Sequence, residues 1–292
     1  MVGAPLREQI GELIRQKSPP RLSAAIERSV KESLVLRASP MPDDRIAIGE
    51  SRLGGMPDLP PDAEWPAWNG QHLAFIAQIN LSGLPSLEFL EVLPSHGVLS
   101  FFCSAQNETW GSGPNDRGNW RLLHLEEQGL EHRETPEDLW ESGLYRSCSL
   151  DYEVSLTLPG IESPHLDLDY DHPQWDEIHQ YVDLQRSFAE LVGQGSCVHR
   201  LLGHPDQMQT DLLLEAQLAS HGLRLGDPLG HLDPGRAELE SGAADWELLL
   251  QVDSDDGAGM MWGDVGRLYY LMTSEHLRNR DFGAAWMILQ CT

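Results

Sequence analysis

Lysine is nearly absent, at only two positions (Lys17 and Lys31), and basic residues of both kinds number 20 against 46 acidic ones, for a net charge of −26. A surface of that sign repels phosphate backbones, so no nucleic acid is expected as a partner. It favours solubility, or a basic protein partner drawn in by its field. Cysteine is scarce too. Cys103, Cys148, Cys197 and Cys291 are far apart, with no Cys-x-x-Cys pair among them. That spacing offers neither a zinc knuckle nor a dense disulfide framework. No run reaches the roughly 18 apolar residues of a membrane span, and the start, Met1 to Glu8, lacks the apolar core of a secretory signal. The expectation is a bacterial-type cytoplasmic protein with reduced thiols and no membrane contact. Catalytic signatures are missing as well: no Gly-x-Ser-x-Gly elbow, no P-loop and no dinucleotide fingerprint. No cofactor is expected.

What remains is a folded chain. Of its 292 residues 40% are apolar and nine are tryptophan, which excludes a disordered protein. The charge is uneven: residues 1–40 carry +3 and residues 41–292 carry −29. Leu6, Ile10, Leu13 and Ile14 form a helical stripe, and a second helix is expected around 20–33. Residues 1–45 read as an N-terminal helical arm, in which Val35 marks a short strand. Ile46 to Ile48 is expected to be another short strand.

The most informative stretch is Ser51 to Pro60, followed by Trp65-Pro66 and the strand Leu73 to Ile79. Gly54 and Gly55 supply backbone angles closed to other residues, and Pro57 and Pro60 stiffen the loop. In the strand, Phe75, Ala77 and Ile79 are expected on one face, with Ile76, Gln78 and Asn80 on the other. Further strands are expected at 97–103, 120–125 and 153–158. A helix is expected over 174–192. The run Pro164 to Pro173 alternates His with Asp, yet reads as an acidic lead-in to that helix. No metal is expected there.

The order then repeats. Leu201-Leu202-Gly203-His204-Pro205-Asp206 echoes Leu53 to Asp58, and a helix is expected over about 207–221. Trp246 to Asp253 matches Leu73 to Asn80, and Gly266 to Leu271 matches Gly97 to Phe102. Gln251 falls 173 residues after Gln78, and Gly266 falls 169 after Gly97. Near-equal offsets imply an internally duplicated α+β fold. It has two related β-rich halves, mostly antiparallel, with flanking helices on one compact body. The domain is 46–292, with halves at about 46–160 and 196–292 and a helical connector over 161–195. A helix near Ser274 to Arg278, capped by Ser274, leads to a closing strand ending in Gln290.

Gly54, Gly55, Gln78, Gln251 and Gln290 are expected to be structural, each buried amide bracing the backbone of a neighbouring loop. Asp253 to Gly257 resembles the start of a calcium loop, but positions 5, 6 and 12 are Gly257, Ala258 and Asp264, so a hairpin turn is expected instead. Arg52, Trp65, His204, Trp262 and Asp264 are the candidate binding residues. Arg52, Trp65, Trp262 and Asp264 are expected to share one cleft, against the alternative that the tryptophans are core. The leading reading is a binding protein with a basic partner, of immunity type in one version. The alternative is an enzyme acting on a small polar ligand between the halves.

With the Gly-Gly-x-Pro loop, the strand ending in Gln78, the block Trp262 to Gly266 and the close from Trp286 to Cys291 in view, the chain resembles the YwqG-like family, a domain of unknown function. The resemblance covers most of residues 45–292. It implies an α+β fold with internal duplication and implies no activity. It maps the family's glycine-rich loop to Gly54 and Gly55, its Gly-Asp turn to Gly263 and Asp264, and its closing pair to Gln290 and Cys291.

Overall fold

A computed structural model describes residues 3–105, 109–166, 175–224, 233 and 235–292. Its frame is a ten-stranded sheet in which every paired neighbour is antiparallel. Two long strands lie side by side at its centre, β1 (Lys31–Pro40) and β10 (Cys148–Thr157), paired over ten residues each. Outward from β10 come β2 (Arg52–Leu53), β6 (Ala74–Asn80), β7 (Val98–Cys103) and β8 (Trp120–Leu125). Outward from β1 come β11 (His199–Leu201), β12 (Trp246–Asp253), β13 (Arg267–Thr273) and β14 (Trp286–Gln290). Two small ribbons stand beside the sheet: β3 (Asp58–Leu59) with β9 (Glu131–His132), and β4 (Ala67–Trp68) with β5 (Gln71–His72).

The outer ends of this sheet meet, so it nearly closes on itself. Trp120 at the start of β8 donates its indole N–H to Ala285 O (2.8 Å), and its ring meets Trp286 edge-on at 4.9 Å. Gly111 O accepts from Trp286 Nε1 and Trp110 O from Leu289 N, tying the loop before β8 to β14. Closure of this kind satisfies edge strands that would otherwise invite pairing with other chains.

The apolar composition of the strands explains where the core lies. β7 and β12 are buried almost end to end, and β6 is buried up to Ile79. Regular alternation fails in both β6 and β12. A register shift at Ile76 puts Ala74, Ile76, Ala77 and Ile79 in the main core and turns Phe75 into an outer cluster with Leu59, Leu73 and Phe102. The expected face shared by Phe75, Ala77 and Ile79 is therefore corrected: a bulge changes the phase between them. β12 has the corresponding shift at Leu249.

Six α-helices lie among the described residues. The amphipathic α1 (Ala4–Lys17) and α2 (Ser23–Ser29) pack Ile10, Ile14, Leu22 and Ile26 against Tyr181, Leu184 and Phe188 of α3 (Trp175–Leu191). α4 (Leu212–Ser220) is capped by Asp211, whose carboxylate accepts from Leu213 N and Leu214 N. α5 (Arg236–Glu240) follows, and α6 (Ser274–Arg278) is capped by Thr273 in place of the expected Ser274.

The expected helical arm ends sooner than residue 45. Lys31–Pro40 is a central strand, so the sheet draws on residues well before 46. Ile46 to Ile48 forms no strand; the segment is fixed by hydrogen bonds around Asp58 and Arg52. Of the run Pro164 to Pro173, the part from Asp167 onward lies outside the described residues.

Candidate functional site

The loops at 52–58 and 200–206 are each built around a polar hub. Arg52 opens the first: it stands opposite Gln78 on β6, and its side chain is 0% exposed. Its Nη2 donates to Asp58 Oδ2 (3.1 Å) and Ala47 O, and its Nη1 donates to Met56 O (3.2 Å). Gln78 Oε1 accepts from Asp58 N (2.9 Å), while its Nε2 donates to Glu50 O and Asp58 Oδ2. Asp58 also takes the Gly49 N–H (2.7 Å), and its Oδ1 meets His132 Nδ1. Burial pulls the Arg52 guanidinium below its ordinary value, against the opposing pull of Asp58 and Asp43.

The second hub repeats these contacts. Arg200 stands opposite Gln251, and its Nη1 donates to His204 O (2.8 Å) and Asp206 Oδ1 (3.0 Å). Gln251 Oε1 accepts from Asp206 N, and its Nε2 donates to Val198 O and Asp206 Oδ2. Burial would raise the Asp206 carboxyl, but the charges of Arg200 and Arg267, together with hydrogen bonds from Gln251 and Arg200, hold the group below the usual range. Even the bulges correspond: Ile76 O accepts from Gly54 N, and Leu249 O from Leu202 N.

Both loops then pass through left-handed backbone, at Gly54 (φ 63°) and Gly55 (φ 71°), and at Leu202 (φ 60°) and Gly203 (φ 80°). A Cβ on Gly55 would collide with Asp43 Oδ1 and Ser147, so glycine is needed there for space as well as for angle. The third glutamine has a related role: Gln290 Oε1 accepts from Met208 N and Gln209 N, and its Nε2 donates to Thr210 O.

The five candidate binding residues do not gather on one surface. Arg52, His204 and Trp262 are all buried. His204 is a strut: its Nε2 contacts Ser29 O at the end of α2, and its backbone N–H donates to Thr157 Oγ1. Burial, aided by the charges of Lys31 and Arg200, lowers its pKa to about 3, so the ring is neutral. Trp65 is half-buried, donates to Leu73 O and meets Phe102 edge-on. It lines a cavity of about 140 Å³ with Asp43, Gly55 and Tyr145. Trp262 is not among its lining residues; its ring meets Tyr145 at 5.4 Å and its Nε1 donates to Asp253 O. Asp264 alone is exposed. The expected shared cleft is thus corrected, because Arg52 and Trp262 are enclosed by their own partners and reach no open surface.

The turn that carries Asp264 has other features. Val265 adopts φ 51° and is 55% exposed. Left-handed backbone is a true outlier for a β-branched residue. Met261 is also exposed, and the ring edge of the partly exposed Trp110 lies against Gly263 between them. Thr292 N and Oγ1 both donate to Asp264 O, which anchors the turn to the end of β14.

Sequence reading missed a further cluster, since nothing in the chain signals a contact 58 residues long. Cys197 Sγ, His199 Nε2 and Asp255 Oδ2 converge, with N–O 3.0 Å, S–N 3.5 Å and S–O 3.8 Å. These donors are of metal-binding type. His199 Nδ1 receives the Asp253 N–H (3.1 Å), which leaves Nε2 as the nitrogen that donates to Asp255. That bond, first among several, holds Asp255 down at about 2. Burial, with Asp255 and Asp253, pushes the Cys197 thiol up to about 12. The Cys197 thiol and the His199 Nε2–H thus both face Asp255 Oδ2, and the three side chains brace the start of β11 against the turn after β12. Asp255 Oδ1 also caps its own turn through Gly257 N and Ala258 N, which gives the segment once likened to a calcium loop a local structural role.

A larger cleft, of about 580 Å³, lies between β1, the segment before β7 and α6. Its walls include Phe89, Val92, Leu202 and Leu277, and its charges include Glu91, Arg278 and the Lys31–Glu247 pair (2.6 Å).

A comparison with curated proteins finds no match. One family does match, described as a domain of unknown function, DUF1963, and the match runs over residues 51–291, from the Gly-Gly loop to the close of the sheet. The chain belongs to the DUF1963 family.

Proposed function

We propose that this chain is an acidic binding protein that presents the 261–265 turn, with Trp110 beside it, to a basic protein partner. The observation that carries this reading is Val265. Left-handed backbone at such a residue costs on the order of 1–3 kcal/mol and persists only where the surroundings impose it. Here the strain leaves an apolar side chain open to water, next to exposed Met261 and Trp110 and the carboxylate of Asp264. Aromatic residues are common anchors of binding surfaces, and the net charge of −26 would steer a basic partner towards them. A toxin-neutralising, immunity-like role is one version of this proposal. The test is a pull-down from native lysate at low and moderate salt, comparing wild type with Met261→Asp and Val265→Asp. A partner held by the wild type and lost from both folded variants supports the reading. Recovery of no protein at either salt, or equal recovery by the variants, overturns it.

A second reading, a small polar ligand or substrate in the 580 Å³ cleft, is favoured by Arg278, which has no ion pair among the described residues, and by the Lys31–Glu247 pair on its walls. It predicts that a polar metabolite mixture raises the melting temperature of the wild type but not that of Arg278→Ala. Equal shifts would end it.

We further propose that the two halves arose by duplication. The mirrored strand order outward from β1 and β10 supports this, as do the matched Arg–Asp–Gln hubs and bulges. A sequence profile of relatives that shows no self-similarity at an offset near 173 residues would refute it. The YwqG-like assignment rests on the motif order, and clustering of relatives by the 51–68 loop tests it. Cytoplasmic residence is supported by four free cysteines, and fractionation of cells expressing the full chain tests it.

A further inference from the structure

We propose that the cavity at the seam between β8 and β14 binds a small organic anion, a carboxylate or phosphate ester with a flat apolar body. The cavity is about 470 Å³, the size of a pocket for a small molecule. Two arginines, Arg117 and Arg121, line it, and no carboxylate does. In a chain with 46 acidic and 20 basic residues, that pairing of like charges without a counter-ion is unusual. Other arginines of the sheet are matched: Arg52 with Asp58, Arg200 with Asp206 and Arg267 with Asp253. Among the described residues, Arg117 and Arg121 have no carboxylate within ion-pair distance.

Both guanidinium groups are nevertheless held. Arg121 Nη1 donates to Gly118 O (3.2 Å) and Trp120 O (2.9 Å), which orients the group and leaves its remaining N–H donors for a ligand. Arg117 Cζ lies 5.8 Å from the centre of the Trp286 ring, within cation–π range. A planar fork of donors, fixed beforehand, matches the oxygens of a carboxylate or phosphate two at a time.

The remaining walls are apolar. Gly118 has φ 110°, and any Cβ there would run into the Trp68 ring, so the indole lies flat on that backbone. Phe282 and Leu122 complete the lining. Asp281 stands at the rim beside Gly283, outside the lining, and so favours a ligand whose charge sits on the arginine side. Trp120 lines the cavity too, and its indole donates to Ala285 O and meets Trp286 edge-on, so the cavity exists because the sheet's two ends meet.

Isothermal titration with 2-naphthoate, 1-naphthyl phosphate and neutral 2-naphthol at low salt tests this, using wild type, Arg117→Gln and Arg121→Gln. The expected result is binding of at least one anion at a single site, with naphthol weaker by about tenfold or more. Each arginine variant should weaken that anion by about tenfold, the scale of one lost charge-assisted hydrogen bond. The preferred probe then identifies the head group. Arg121→Gln also loses two carbonyl bonds. If it unfolds, the exposed Arg117→Gln carries the comparison. Absence of binding by either anion at millimolar concentration, naphthol binding as tightly, or folded variants binding like wild type would each overturn the proposal.

Discussion

Replacing Arg52 by methionine removes one charge from the first hub with little loss of volume, so the cost reports on the charge and not on a cavity. Asp58 would then keep its carboxylate at 0% exposure without its cation. Breaking a buried ion pair from one side costs about 3–5 kcal/mol, because the remaining charge is left uncompensated. Asp58 retains the Gly49 N–H, the Gln78 amide and His132, which places the expected loss at the lower end, about 3 kcal/mol. Arg200→Met should cost less, since Asp206 still faces Arg267, whose Nη1 also holds the Asp206 carbonyl (2.9 Å). Urea unfolding followed by tryptophan fluorescence and far-UV circular dichroism measures both, as a shift in midpoint at constant slope. A double variant, Arg52→Met with Asp58→Asn, should lose less than the sum of the single losses by about 2 kcal/mol, because the stranded charge goes with its partner. If Arg52→Met costs under about 1 kcal/mol and the pair is additive, the hub is not an electrostatic unit and the reasoning fails.

Several parts of this arrangement could be read from the chain. The offset of 173 residues between Gln78 and Gln251 joins two amides with the same three contacts, one to an arginine-bearing loop's aspartate N–H and two to its acceptors. The same offset joins the bulges at Ile76 and Leu249, which have no sequence signature of their own. Arg52 reads as a surface residue because arginine is rarely fully buried, and only a partner at the right distance overrides that tendency. The signal was present: an aspartate lies six residues after the arginine in both loops, at Asp58 and Asp206. β1 reads from the chain only as a short strand at Val35, for another reason. Its apolar run is short, Leu34 to Leu36, and its stability comes from β10 and β11, more than a hundred residues away. Long-range pairing of that kind leaves little local trace.

Other perturbations test the same framework. Gln78→Leu and Gln251→Leu should each cost about 2–4 kcal/mol, by stranding an aspartate N–H and a carbonyl, and unequal costs would argue that the hubs are not equivalent. Gly55→Ala should lower stability by more than about 1 kcal/mol, read as an earlier unfolding midpoint, for both angle and space. For His204 the folded pKa, about 3, lies below the unfolded value of about 6.5, so the unfolded chain takes up the proton first. Its contribution is therefore present above pH 6.5 and is lost as pH falls towards 3, on the order of 4–5 kcal/mol in all. The gap in stability between wild type and His204→Gln should shrink over that window. The comparison cancels Asp211 and Glu215, which burial raises to about 6 and about 7 and whose stabilising share is lost as pH rises through those values. A gap that stays constant with pH would mean that the buried ring does not titrate with unfolding. Val265→Gly sets stability against recognition. Glycine accepts φ 51° freely, so the variant should gain up to about 1 kcal/mol once its greater freedom in the unfolded chain is deducted. It also removes the exposed apolar side chain, and a partner that docks there should be held less tightly. Melting and pull-down on the same preparation separate the two effects. A variant that melts lower than wild type refutes the strain at Val265, and one that melts higher yet retains its partner in full removes the turn from the binding surface.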